Sequence, residues 1–141
     1  MKDPHQIIIQ PRITERTVQL SYGDEPAARQ RLLNKARAES KADSKKGGKK
    51  TGPPEVADSD LVRKYTFEVA RDANKIEIKS AIEAIYNAGR KKEDAIKVTA
   101  VRTIKVLGKL RRRGRHTGYE PDRKKAIITL AVGQILEDYG V

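Results

Sequence analysis

The sequence contains no cysteine and no long apolar run. Without cysteine the chain cannot form disulfides, offer a thiolate nucleophile or hold zinc through thiolates. Only three consecutive isoleucines, Ile7 to Ile9, precede Gln10 and Pro11, far fewer than the apolar run of a signal peptide or a membrane span. We therefore expect a soluble intracellular protein.

Groups that carry catalysis are also sparse. The two histidines, His5 and His116, belong to no cluster with metal-ligand spacing, so each is interpreted as a surface ring or a partner-contacting ring rather than a metal ligand. Asp94, Glu120 and Asp122 are isolated carboxylates, whereas a metal-dependent nuclease needs a convergent acidic cluster. We expect no enzyme activity, no metal site and no cofactor.

Positive charge is what the chain has in excess. Its 141 residues include 31 lysines and arginines against 19 acidic residues, a formal net charge of +12. The length suits one domain, 1–141. A surplus of this size repels itself unless a polyanion neutralises it. Nucleic acid is therefore the leading candidate for the partner.

The first twenty residues predict two short elements. Residues 7–20 begin with an apolar run that breaks at Pro11 and continues as a polar and apolar mixture. Thr14 has the side chain of a helix cap, and Glu15 would stand at the positive end of that helix. We predict a short extended piece followed by about two turns of helix.

Residues 23–62 have a different composition. Alanine, lysine, arginine, serine and glycine dominate, and large apolar residues nearly vanish after Leu33. We interpret this segment as a low-complexity basic insertion, partly helical and partly disordered. The stretch 26–39 is rich in helix formers and has Pro26 at its start, which predicts a solvent-exposed helix. The second half should be coil.

The remaining sequence predicts an α+β fold. Residues 63–69 alternate apolar and polar residues with the period of a strand. Residues 74–89 have helical spacing between a cap at Asn74 and a stop at Gly89. Residues 98–107 and 125–131 are rich in β-branched residues and predict two further strands, with a possible short strand around Ile135. We expect a small antiparallel sheet with helices packed on one face.

A basic hairpin extension is predicted between the last two long strands. Residues 102–125 contain ten lysines or arginines and two acidic residues, so +8 of the net charge lies here. Arginine forks fit phosphate oxygens, and glycines allow close backbone approach. Most charge runs are merely solvated, but adjacent arginines repel one another, which favours phosphate binding. Arms of about seven residues between Gly108 and Pro121 would protrude roughly 20 to 25 Å.

Several pieces of the sequence together resemble a known family. They occur in order as 3–4, 11–16, 65–69, 73–79, 98–103, 108–109, 114–115 and 122–130. In register they closely resemble large-subunit ribosomal protein twenty-three of the bacterial type. The likeness omits 23–62, where family members have only a few residues. It also departs at Arg123, where a tryptophan is common.

The resemblance implies a structural constituent of the large ribosomal subunit, located on the ribosome in the cytoplasm. It would bind ribosomal RNA near the nascent-peptide exit tunnel, contact neighbouring ribosomal proteins, and form part of the docking site for trigger factor and the signal recognition particle. Bacterial and organellar ribosomes both remain open. The side chains that we expect to bind RNA are Arg102, Lys105, Lys109, Arg111, Arg112, Arg113, Arg115, His116, Tyr119, Arg123, Lys124, Lys125, Lys75 and Lys79.

Two questions remain open at this stage. Glu15 matches the glutamate of the family's chaperone-docking motif, but it could equally serve only to stabilise the first turn of its helix. The same basic hairpin would also suit a free RNA or DNA chaperone. A basic nuclease is the remote alternative, because the acidic cluster is missing.

Overall fold

The computed structural model describes residues 2–42, 55–91, 94–137 and 139. The helices within these ranges are α1 (Pro4–Ile7), α2 (Glu15–Tyr22), α3 (Glu25–Ala42) and α4 (Lys75–Asn87), with a 3-10 turn at Asp58–Asp60. The strands are β1 (Ile8–Pro11), β2 (Lys64–Val69), β3 (Val98–Val106), β4 (Leu110–Arg113), β5 (His116–Tyr119) and β6 (Arg123–Leu130).

Two sheets organise the described residues. The larger has four strands in the order β1-β2-β6-β3, and every neighbouring pair is antiparallel. The smaller is the β4-β5 hairpin, which continues outward from the β3 and β6 pair. The predicted α+β fold with an antiparallel sheet and a hairpin extension is confirmed.

The core lies between the sheet and α4. Alternation along β2 sends Tyr65, Phe67 and Val69 to one face, where all three are buried. Ile78 and Ile82 of α4 pack in the same cluster and are fully enclosed. Each such aliphatic side chain contributes about 1.5 to 3 kcal/mol relative to an exposed one. This core fixes the strands from which the hairpin projects.

Helix α4 begins and ends where the sequence predicts. The backbone N–H of Asn74 donates to Glu77 Oε2 at 2.7 Å, which completes a capping box. The chain then turns at Gly89, whose φ of +82° favours glycine. The apolar residues predicted from helical spacing therefore face the sheet.

The N-terminal segment completes the sheet at one edge. Strand β1 pairs with β2, and the Thr14 hydroxyl accepts a hydrogen bond from the Thr17 backbone N–H at 3.4 Å to cap α2. The predicted extended piece and helix are thus confirmed. Helix α1 was not predicted, because four residues are too few to show a period, yet it carries the buried Ile7.

The inserted segment 23–62 begins with a long helix. Helix α3 covers the stretch 26–39 for which a helix was predicted. Most of the half predicted as coil falls at 43–54, outside the described residues. At the end of the segment Val62 is buried, and the Leu61 carbonyl accepts from the Gly133 N–H at 3.0 Å. The last residues of the segment therefore belong to the folded body.

The short strand predicted around Ile135 is wrong. Residues 131–137 form turns and irregular backbone. Gly133 has a φ of +80°, which is incompatible with a strand, and the Gln134 side chain bonds Lys97 N at 2.8 Å and Ala95 O at 2.8 Å. These side-chain bonds hold the segment against the sheet without strand pairing.

Candidate nucleic-acid interface

The hairpin is attached to the body by a narrow junction. Strands β3 and β6 pair as far as Val106 and Arg123, and pairing resumes at β4 and β5. In between, the N–H of Gly108 donates to Asp122 Oδ1 at 2.8 Å. A Cβ at Gly108 would overlap the carbonyl of Glu120. Only glycine fits this crossing of the two chains.

The hairpin itself is shorter than the sequence predicted. Its paired arms are the four-residue strands β4 and β5, rather than arms of about seven residues. The turn at Gly114 has a φ of +62°, the left-handed conformation of a tight hairpin. One further backbone bond, from the Glu120 N–H to the Lys109 carbonyl at 3.0 Å, follows the ladder before the Gly108 N–H turns to the Asp122 side chain instead of a strand partner.

Every residue from 111 to 120 is exposed. Arg111 Nε pairs with Glu120 Oε1 at 2.9 Å, and Arg112 Nε donates to the Gly114 carbonyl at 3.0 Å. Among the described residues, Arg113 and Arg115 have no ion-pair partner. The tip therefore presents guanidinium groups that only an external anion can neutralise.

An apolar pair stands at the foot of this charged ladder. Leu110 lies directly opposite Tyr119 in the register, and the two are 59% and 76% exposed. Leu107, three residues before Leu110, is also exposed. An exposed tyrosine ring among cations is a surface on which a nucleic-acid base can stack.

A cleft of about 590 Å³ opens where the hairpin meets the body. It is lined by Arg71, Asp72, Lys105, Val106, Leu107, Asp122, Arg123 and Lys124. The predicted residues Lys105, Arg123 and Lys124 thus come together here. Arg71, Leu107 and Leu110 were missed, because Arg71 is remote in the sequence and isolated apolar residues give no pattern, whereas Tyr119 was among the predicted residues.

The cations of this cleft differ in how far the body already uses them. Lys124 Nζ donates to the carbonyls of Ala73 at 2.8 Å and Arg71 at 3.2 Å. Arg123 Nε lies 3.7 Å from Glu68 Oε1, so the charge of Arg123 is already paired within the body. Lys105 has no partner among the described residues and is free to bind an anion.

The loop that lines the cleft is also held to the N-terminus. Lys2 forms an ion pair with Asp72, and this hydrogen bond lowers the pKa of Asp72 below its ordinary value. The same contact raises the pKa of Lys2. The two side chains are 49% and 68% exposed, so solvent screens the interaction.

Five other predicted RNA-binding residues lie outside the cleft and outside residues 111–120, and one of them, Lys109, is an exposed residue of the junction. Arg102 and Lys125 point to the face of the sheet opposite the core, in register with Ile127 and Glu68 respectively. Lys75 begins α4 and is exposed, whereas Lys79 forms an ion pair with Glu83 at 3.9 Å. The predicted residues thus lie on the hairpin and its junction, in the cleft, on the sheet face opposite the core and, for Lys75 and Lys79, on α4.

Glu15 lies far from the hairpin. It is the exposed first residue of α2, which follows the point where Arg12 N–H bonds the Thr66 carbonyl at 2.8 Å. At the hairpin end of the sheet, Lys124 pairs in register with Val69. From Val69 to Lys64, at the other end, strand β2 spans about 16 Å. Helix α2 lies at the Lys64 end, beside a cleft lined by Arg16, Gln19, Leu20, Gly23, Asp24, Pro26, Val62 and Lys64.

Two other kinds of site were sought in the described ranges. Among those residues no group of three or more histidines and carboxylates converges to hold a metal ion. None of the helices described there is long and apolar enough to cross a membrane.

Comparison with known proteins decides the family. Residues 55–137 match the family model for ribosomal protein L23. The chain belongs to that family. It is similar to the large ribosomal subunit protein uL23 of Roseiflexus castenholzii, with 54% identity over 74 residues that cover 52% of this chain and 70% of the relative. The corresponding protein of Solibacter usitatus is 43% identical over 84 residues, which cover 60% and 80% of the two chains.

Membership assigns a general role. The chain is a structural constituent of the large ribosomal subunit, in a family of structural rather than enzymatic proteins. The matched range includes the sheet strands β2, β3 and β6, helix α4 and the whole hairpin. It begins at residue 55, so it excludes Glu15 and α3.

Proposed function

We propose that the chain binds ribosomal RNA of the large subunit through the hairpin of residues 102–125. In this proposal Arg111, Arg112, Arg113 and Arg115 contact phosphates, and Tyr119 stacks on a base. The cleft at the base of the hairpin extends the same surface toward the body, chiefly through Lys105.

One observation carries the proposal: ten consecutive residues, 111–120, are exposed and have no core of their own. Two strands of four residues are too short to be stable alone. Repulsion among the arginines opposes folding further. A polyanion would offset this repulsion and contribute bidentate hydrogen bonds, which supports RNA as the ligand.

The test compares the hairpin with the body at equal charge. Replacing Arg112 and Arg113 with alanine removes two cations from the tip, and replacing the exposed Lys91 and Lys97 with alanine removes two from the body. RNA affinity is measured on deproteinised large-subunit ribosomal RNA over a series of salt concentrations. The hairpin variant should flatten the plot of log affinity against log salt by about one and a half to two units.

The body variant should leave that slope nearly unchanged. Equal changes of the slope in the two variants would mean that RNA affinity depends on net charge alone. The hairpin would then not be the RNA-binding element. Circular dichroism before each titration checks that both variants are folded.

We propose further that α2 belongs to a docking surface for trigger factor and the signal recognition particle, at the rim of the nascent-peptide exit tunnel. The family resemblance of residues 11–16 supports the identity of the partners. The exposure of Glu15 and its place at the end of the sheet away from the hairpin support a surface that stays free when the hairpin is in RNA. Ile13, which is 52% exposed, adds an apolar contact beside the carboxylate.

Charge reversal of Glu15 tests this surface. Glu15→Lys should weaken trigger factor binding to assembled subunits, chiefly through the association rate and its salt dependence. Glu25→Lys is the matched control, because Glu25 is likewise an exposed first residue of a helix. Full occupancy of the subunit with undiminished trigger factor binding would leave Glu15 only its role at the helix start.

A further inference from the structure

Positive charge is concentrated in two segments of the chain. Residues 26–54 contain nine lysines or arginines and two acidic residues, a net charge of +7. The hairpin, 102–125, carries +8. Because the whole chain carries +12, the rest of the molecule has a net charge of −3. The rest of the chain thus contributes no net positive charge, and the proposed RNA-binding hairpin holds +8 of the +15 carried by the two basic segments together.

The described part of the second segment is a helix whose start is fixed by contacts of residues 23–28. Ala27 N–H bonds the Asp24 carboxylate at 3.1 Å, and Ala28 N–H bonds the Asp24 carbonyl at 3.0 Å. Ala28 is 1% exposed. The preceding turn at Gly23, with a φ of +99°, lies against Leu61. These contacts fix where α3 leaves the body.

Beyond this anchor the helix presents cations. Arg29, Arg31 and Lys35 are exposed, and Arg31 and Lys35 are one helical turn apart on the same side. Only Arg29 has an ion-pair partner among the described residues, Glu25 at 3.5 Å. A surface helix normally has an apolar stripe that packs on a core, yet Leu32 and Leu33 are only half-buried. Within residues 25–35, Ala28 is the one residue that is fully buried.

The helix lies at the opposite end of the sheet from the hairpin. Pro26 and Asp24 line the cleft that includes Val62 and Lys64. Lys64 is the residue of β2 farthest from the junction, where Val69 and Lys124 are paired. A ligand of α3 would therefore be reached from a different side than a ligand of the hairpin.

We propose that α3 is a second RNA-binding element, which contacts the phosphate backbone of the ribosomal RNA through Arg29, Arg31 and Lys35. This inference rests on the proposed RNA-binding function and extends it to a region that the family match does not include. RNA fits better than a protein partner, because protein interfaces depend on buried aromatic and apolar anchors. Within residues 25–35 the exposed side chains are all polar apart from Pro26, and electrostatic binding to phosphate needs only lysine and arginine.

The test uses the full chain with deproteinised large-subunit ribosomal RNA. Replacing Arg29, Arg31 and Lys35 with alanine removes three cations and should flatten the salt dependence of affinity by about two to three units. Gln30→Ala combined with Asn34→Ala is the control, because these exposed neutral residues bond each other on the same helix at 3.2 Å. Arg29→Lys with Arg31→Lys keeps the charge and should keep the slope.

Combination with the hairpin variant separates the two proposals. Because the two elements lie at opposite ends of the sheet, their effects on the slope should add. An unchanged slope for the α3 variant, with a flattened slope for Arg112→Ala and Arg113→Ala, would overturn the second element and leave the hairpin proposal intact. An α3 variant that keeps its RNA affinity but loses a cross-link to a neighbouring protein in assembled subunits would assign the helix to a protein partner and would also overturn the proposal.

Discussion

The sheet body and the hairpin differ in what stabilises them: a buried core in the body, and backbone pairing in the hairpin. In the body, Phe67, Ile78 and Ile82 are less than 2% exposed and hold the strands and α4 together. In the hairpin, residues 111–120 are all exposed, and order depends on backbone pairing and on the junction at Gly108. The body therefore determines stability, and the hairpin is available for a partner.

The largest effect expected from this comparison is on stability. Ile82 is fully buried between α4 and the sheet, so Ile82→Ala should reduce the free energy of unfolding by about 2 to 5 kcal/mol. Arg112→Ala with Arg113→Ala should leave it nearly unchanged. Urea unfolding of the free protein measures both, and the comparison breaks down if the arginine variant unfolds as easily as the core variant.

The fold was predictable where one period runs over many residues. Alternation in 63–69 and helical spacing in 74–89 each reflect burial of one face against the same core. The strand predicted around Ile135 was wrong because β-sheet propensity takes no account of the neighbouring Gly133, whose positive φ prevents strand pairing. Helix α1 was missed because its single turn is fixed by Ile7 entering the core, which is a tertiary effect.

The candidate site was predictable in composition more than in geometry. Adjacent arginines between glycines indicated an anion-binding hairpin, and the structure exposes that segment. Which cations are already used could not be predicted, because the partners are remote: the Lys124 ammonium bonds the carbonyl of Ala73, and Arg123 faces Glu68. The sequence gives the number of charged residues, whereas packing determines which of them remain available to a ligand.

A smaller effect is expected at the junction between the two regions. In Gly108→Ala the new Cβ would overlap the Glu120 carbonyl and force the chains apart, at a cost of about 1 to 3 kcal/mol. Gly118→Ala is the matched control, since a Cβ there meets nothing within 4 Å. Thermal unfolding and amide exchange around Gly108 should separate the two variants, and equal behaviour would mean that the junction does not hold the hairpin.

The smallest effect concerns Lys124 and Lys105, which line the same cleft and carry the same charge. The ammonium of Lys124 bonds two carbonyls of the 71–73 turn, so Lys124→Met should lower stability by about 1 to 2 kcal/mol. Lys105 has no such partner among the described residues, so Lys105→Met should keep stability and weaken RNA binding instead. Urea unfolding and RNA titration of both variants distinguish a cation that belongs to the body from one that serves the ligand. If Lys124→Met keeps full stability and loses as much RNA affinity as Lys105→Met, then the carbonyls of Arg71 and Ala73 do not need this lysine. Lys124 would then belong to the RNA-binding surface rather than to the body.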